Sequence, residues 1–412
     1  MVSPQGGRAD AGRPQNPARR ERGGPDPARL HAMTTETPGP DPSAPGLPAE
    51  PPGLLLASTQ DVLGAVPYLL GFHPGDSLIV IGLRGDPPRG RVHLTVRWDL
   101  PLAAPAPGRI LPLLRKEEIT QVIAVGYGPG PLVTPAADAV IALLRGSGIA
   151  VLDVLRAHDG RYWSYLCQAA ECCPPSGTPY DREAGPIAAQ ATVHGLVALP
   201  DRRTLERSLA PAGGRERTAM RRATARATAE LRARLAGCRD VDGLAAELVA
   251  DGVARVHGAI AAYASGGRID DEQAARLGLG LAVIRIRDEA WALITDDTCD
   301  AHVRLWRDLT RRLEPRFAAP AASLLGMAAW RGGDCALAGI ALARALDADP
   351  GYSMAHLLMQ ALRHLLPPHA LKERMPSPEE LDQEMGGARA AWLLPVIALL
   401  EERRRGPVAV AG

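Results

Sequence analysis

Pro67-Tyr68-Leu69-Leu70-Gly71-Phe72-His73-Pro74-Gly75-Asp76-Ser77 runs without a break into Leu78-Ile79-Val80-Ile81-Gly82-Leu83. The first part closes a helical pattern, and the last is an apolar run of strand length. The residues between them therefore decide whether a helix hands over to a strand. Upstream, Ser58-Thr59-Gln60-Asp61 reads as the helix start. The Ser58 hydroxyl can accept from an orphan amide, and Asp61 stands three residues on, in place of the Glu or Gln of a full capping box. Val62, Leu63, Val66, Leu69 and Leu70 supply an apolar face at helical spacing, and Gly71 can take the left-handed conformation that ends the helix. His73-Pro74-Gly75-Asp76 suits a type II turn, with Pro fixing the second position and Gly giving positive φ at the third. Ser77 to Leu83 then has the composition of a buried strand.

Outward from that corner, strands and helices alternate. Gly85 to Gly90 is rich in turn residues, and Arg91 to Leu100 alternates Val92, Leu94, Val96 and Trp98 against His93, Thr95, Arg97 and Asp99. That pattern is a hairpin strand with one apolar face. Ile119 to Gly126 reads as a strand, followed by a helix from about Pro135 to Arg145. Ile149 to Arg156 pairs with Arg161 to Leu166 across His158-Asp159-Gly160, and Thr192 to Leu199 reads as one more strand before a short helix at Asp201. These elements define an α/β domain with a mixed sheet over residues 53–211.

Beyond Pro211 the pattern is all-helical: a connector at 212–267, then a helical domain at 268–400. Helical spacing covers Arg215 to Gly237, Leu244 to Tyr263, Gln273 to Leu293, Cys299 to Leu313, Ala321 to Arg331, Cys335 to Leu346 and Ser353 to Leu366. Gly326, Ala338, Ala345 and Pro350 sit where one tetratricopeptide-like unit, Ala319 to Tyr352, places small residues and a terminating proline. A generic antiparallel helix pair has the same spacing. The Pro-, Gly- and Arg-rich residues 1–52 cannot bury enough apolar surface to offset their ordering entropy, so a disordered tail is expected there, with a second tail at 401–412. Met33 is an alternative initiator to Met1.

Of the 412 residues 46% are hydrophobic, which suits globular cores, and the formal charge of +1 creates no global field toward nucleic acid or an anionic membrane. No run approaches the roughly 18–20 apolar residues of a membrane span, and the N-terminus has no apolar signal region. The six cysteines are too few and too uneven for a disulfide scaffold. A cytoplasmic protein is expected, without membrane association. Lys116 and Lys372 are the only lysines, so arginine supplies the positive charge; that bias is read as GC-rich coding before phosphate recognition.

The segment Asp61…Pro67-Tyr68-Leu69-Leu70-Gly71-Phe72-His73-Pro74…Ser77-Leu78-Ile79-Val80 resembles the opening of an actinobacterial family, the domain of unknown function numbered 4192. Gly160-Arg161-Tyr162-Trp163-Ser164-Tyr165-Leu166-Cys167 with Cys172-Cys173-Pro174, Leu324 to Trp330, and Ala341 to Pro350 resemble its later blocks. The resemblance spans about Leu54 to Leu366. It implies no reaction, cofactor or partner.

The candidate chemistry is sparse. His73, Asp76 and Ser77 form a possible acid/base or nucleophile cluster, but a working serine needs an oriented base, and no Gly-x-Ser-x-Gly elbow surrounds Ser77. Asp76 and Ser77 equally serve turn amides. Arg97 and Asp99 read as exposed charge on an alternating strand. Val125 to Gly130 lies between a strand and a helix, where phosphate can bind, but it completes no nucleotide-binding motif and its prolines remove amides. Cys167, Cys172 and Cys173 are the most unusual group. They could bind zinc if His158, His194 or a carboxylate completed the shell, could form a redox pair through Cys167 and Cys172, or could simply pack. Adjacent cysteines seldom both reach one ion, which counts against the metal. The arginines from Arg215 to Arg239 lack interleaved aromatics, so a solvated helix face is expected rather than a nucleic-acid grip. The sequence leaves two functions: a non-enzymatic binding or scaffold protein whose helical half holds a protein partner, or an enzyme acting on a small or phosphorylated substrate at the sheet edge.

Overall fold

The computed structural model describes residues 56, 58–86, 90–102, 107–181, 186–193, 196–367 and 376–401. The tail expected at 1–52, Met33, Lys372, His194 and residues 402–412 lie outside them. Six strands form one mixed sheet: β1 (Ser77–Arg84), β2 (Arg91–Asp99), β3 (Gln121–Tyr127), β4 (Ala150–His158), β5 (Arg161–Ser164) and β6 (Thr178–Pro179), in the order β2-β1-β3-β4-β5-β6. Only β3 and β4 run parallel. A parallel pair needs a crossover, and a helix supplies it here.

Helix α1 (Thr59–Leu70) starts as its sequence indicates. The Ser58 hydroxyl accepts from the Asp61 amide at 3.2 Å, and Gly71 closes the helix at φ 75°. The type II turn expected at His73-Pro74-Gly75-Asp76 is not formed. The residue with positive φ is Asp76, at 40°, and Gly75 does not take that conformation. The corner is held instead by a distant partner. Phe72 forms a parallel bridge with Leu199, whose amide donates to the Gly71 carbonyl while its own carbonyl accepts from the His73 amide, both at 2.8 Å. Extended backbone that finds ladder partners has no need of a tight turn.

Helix α2 (Ile110–Lys116) and helix α3 (Gly130–Leu144) cover one face of the sheet. Helix α3 starts at Gly130, ahead of the expected Pro135, because Pro131 stands in the first turn where no amide is lost. Along β2 a bulge opposite Gly82 and Leu83 interrupts the alternation. Leu94, Val96 and Trp98 face the α2–α3 side, and Val92 joins the opposite core. One extra residue moves the remainder of the strand to the other face. The strand expected at Thr192 to Leu199 is corrected too: its first residues end helix α4 (Pro186–Val193), and only Leu199 pairs. Ile187 and Ala191, one turn apart, are both buried, with Ile187 lying against Gly64 of α1, so tertiary packing selects helix there.

The helical half comprises α5 (Arg202–Ser208), α6 (Gly214–Gly237), α7 (Val241–Ala264), α8 (Asp271–Gly280), α9 (Ile284–Ala292), α10 (Cys299–Arg312), α11 (Pro315–Arg331), α12 (Cys335–Ala348), α13 (Ser353–Arg363), α14 (Pro378–Met385) and α15 (Leu394–Glu401). The single helix expected over Gln273 to Leu293 is split in two. The Val283 amide turns back to the Gly280 carbonyl at 2.8 Å, which buries both Leu281 and Val283. Every residue from Phe317 to Trp330 of α11 is buried, because its alanines let α10 and α12 close in. A Cβ on Gly326 would lie 2.7 Å from Leu342 Cγ, so α11 and α12 cross there, with Ala338 and Ala345 buried in the same pair. One core runs from the second face of the sheet into these helices. Among the described residues no helix is long and apolar enough to cross a membrane.

Candidate functional site

The loop after β5 gathers three thiols. Cys167 Sγ lies 3.2 Å from Cys172 Sγ, Cys172 Sγ lies 3.9 Å from Cys173 Sγ, and all three sulfurs fall within 4.8 Å of one another. The amides of Cys172 and Cys173 both turn back to the Ala169 carbonyl, at 3.3 and 2.8 Å, which sets adjacent side chains toward one point.

The loop is anchored from both ends. Ser164 Oγ accepts from the amides of Leu166 and Cys167 and donates to Asp153 Oδ1 at 2.7 Å, an atom that also accepts from the Val154 amide. Burial pushes the Asp153 carboxyl above the usual carboxylate range, against the pull of those two hydrogen bonds. At the far end Thr178 Oγ1 donates to the Cys172 carbonyl, Arg161 reaches the carbonyls of Ser176 and Gly177, and Trp163 Nε1 donates to the Pro175 carbonyl. Gly177 is required there: its φ is 79°, and a Cβ would lie 2.5 Å from the Trp163 ring.

The thiols differ electrostatically. Hydrogen bonding from Cys172 holds Cys167 below the usual thiol range, and the same contact raises Cys172. Burial, followed by the neighbouring sulfurs, pushes Cys173 up to about 12. One thiolate is favoured, and a second resists forming beside it unless a cation compensates. His158 is not part of this group; its Nε2 lies 3.4 Å from Asp159 at the β4–β5 turn. Ser164 and Asp153 were missed from sequence. The available signal was a lone carboxylate inside the apolar run Ala150-Val151-Leu152-Asp153-Val154-Leu155.

His73 and Asp76 lie in the turn that leads into β1, which Ser77 opens. Ser77 is fully buried, and its hydroxyl has no hydrogen-bond partner among the described residues, so no base activates it. Asp76 turns toward the loop after β3: a Cβ on Gly128 would lie 3.1 Å from Asp76 Oδ1. Beyond that loop the Arg156 guanidinium stacks on Trp163 at 3.6 Å and faces Gly130 at the start of α3. Arg97 and Asp99 pair at 2.6 Å, and Asp99 also holds Arg202 of α5 at 3.1 Å, so this charge ties α5 to the sheet edge.

In the helical half, α6, α7, α8, α9 and α15 line a half-open cavity of about 80 Å³. Leu231, Leu248, Leu279, Val283 and Val396 floor it, and Glu230, Arg234, Asp251, Arg255 and Arg276 rim it. Arg234 is paired with Glu247 and Arg276 with Glu230, whereas exposed Arg255 has no ion-pair partner among the described residues.

The fold is a mixed sheet followed by packed helices, with three thiols gathered on the β5–β6 loop. The chain belongs to the family Domain of unknown function (DUF4192), whose model matches residues 60–369. No curated protein and no solved structure matches it.

Proposed function

We propose that this chain is a non-enzymatic binding or scaffold protein that holds a protein partner in the helical half. The observation that carries this reading is the cavity between α6, α7, α8, α9 and α15. Its volume of about 80 Å³ is well below the ~300–1,000 Å³ of small-molecule sites. A cavity of that size suits one anchoring aliphatic side chain of a partner. The unpaired Arg255 at its rim favours a segment that carries a carboxylate beside that anchor. Nucleic acid is a poorer fit, because Arg226 and Arg234 of α6 are already engaged by Glu272 and Glu247. The α11–α12 pair, read as a tetratricopeptide-like hairpin, would stiffen the wall behind the cavity. A cytoplasmic setting fits this reading, and actinobacterial origin fits the use of arginine over lysine.

A photo-crosslinker at position 231 or 255 should capture a defined partner that the same group at exposed Lys116 does not. Arg255→Glu should abolish that capture while leaving the circular dichroism unchanged. Equal labelling from all three positions overturns the reading.

A second reading, an enzyme acting on a small or phosphorylated substrate, is favoured by one observation. Asp76 holds positive φ beside the Gly126 to Gly130 loop, at the carboxyl ends of β3 and β4 where α/β sheets bind ligands. Protection of that loop from hydrogen exchange by inorganic phosphate, lost in Arg156→Ala, would select it.

A further inference from the structure

The β5–β6 loop contains more order than a surface connection needs. Its two ends are fixed by Ser164 and Asp153 on one side and by Thr178, Arg161 and Trp163 on the other. What this scaffold positions is three sulfurs. A tetrahedral ion with metal–sulfur bonds of about 2.3 Å keeps its sulfurs roughly 3.8 Å apart. The separations of 3.2 and 3.9 Å bracket that value, and all three atoms lie within 4.8 Å of one another. A disulfide needs about 2.05 Å and uses only two sulfurs, which leaves the third unexplained. Simple packing is a poor account as well, since Cys172 is exposed and Cys167 and Cys173 are only half-buried.

We propose that Cys167, Cys172 and Cys173 together bind one thiophilic d10 cation, represented by zinc(II), with the fourth coordination position open to water or an incoming ligand. Binding exchanges the three thiol protons, released to solvent, for the ion. Among the described residues no His, Asp or Glu joins the three sulfurs, so the fourth ligand comes from outside the group. Ser164, which accepts the Cys167 amide, and Asp153, which accepts from Ser164, are positioning residues that hold the first sulfur in place. The site is independent of the helical cavity.

Reduced full-length protein, stripped with a chelator and kept under nitrogen, is titrated with zinc(II) against a chromophoric competitor. One equivalent should bind the wild type. Affinity should fall by about tenfold or more in Cys167→Ser, Cys172→Ser and Cys173→Ser taken singly, since loss of a ligand costs at least what loss of an outer partner does. Alkylation read by peptide mass needs no substitution and therefore survives a variant that does not fold. Zinc should slow modification of all three cysteines together and leave Cys238 unchanged. Three results overturn the proposal: no saturable binding, binding retained in the triple variant, or protection of Cys167 and Cys172 alone. The last would leave a two-sulfur site that does not use Cys173.

Discussion

Gly71 and Gly75 stand four residues apart and meet unequal demands. Gly71 takes φ 75° to end α1, a conformation that costs an L-residue roughly 1–2 kcal/mol. Gly75 avoids positive φ, and a Cβ there would meet nothing within 4 Å. Gly71→Ala should therefore lower the unfolding free energy by about 1 kcal/mol or more. Gly75→Ala should leave it unchanged or raise it by about 0.4–1 kcal/mol, because the unfolded chain loses freedom it no longer has to surrender. Urea midpoints at equal slope measure both, and equal losses would restore the tight turn at Pro74-Gly75. The role of Gly71 was legible because it ends a helical period. That of Gly75 was misread because the residue fixing the corner, Leu199, is remote in sequence and reaches Phe72 only once the chain is folded. The thiol cluster was legible as residues and illegible as geometry. Nothing in Cys172-Cys173 alone shows that both amides turn back to Ala169.

Helix α10 buries a polar pair together with its apolar face. Leu305, Trp306 and Leu309 are fully buried, and within the same turn Trp306 Nε1 donates to His302 Nδ1 at 2.9 Å. Burial pushes the His302 imidazole down to about 4, only partly offset by the Leu293 carbonyl at the end of α9. An unfolded chain takes up that proton near the ordinary value of 6.5, which the folded chain refuses until about pH 4. The unfolded state therefore binds more protons between those values. The stabilisation is complete above pH 6.5 and declines as pH falls toward 4, by up to about 3 kcal/mol. His302→Gln, which can still accept from Trp306, should flatten that slope in urea midpoints taken across the window; a slope equal to wild type would place the titration elsewhere. Helical spacing made α10 plain from sequence, as it did α6, α7 and α12. It failed where packing outweighed pattern: Gly280 broke one apparent helix into α8 and α9, and contact with α1 kept α4 helical up to Val193.

At the scale of the molecule, the open issue is whether residues 53–211 and 268–400 behave as separate domains. Leu56, Phe72, Ile79, Val125 and Leu155 of the first segment share one buried core with Ile260, Leu305, Leu325, Trp330 and Leu400 of the helices. A side-chain link crosses the same junction: Arg109 reaches the Arg363 carbonyl at 3.2 Å. Unfolding either segment alone would expose the face the other covers, at about 25 cal/mol for each Å² of apolar surface. That penalty couples the two transitions, even in a chain of a length that usually unfolds through intermediates. Trp163 reports on the sheet and Trp330 on the buried centre of the helices. Two variants retaining only one of these tryptophans should therefore give the same urea midpoint, matching that from far-ultraviolet circular dichroism. A Trp163 transition well below that of Trp330 would mean that the sheet opens by itself and that the shared core contributes little to holding the halves together.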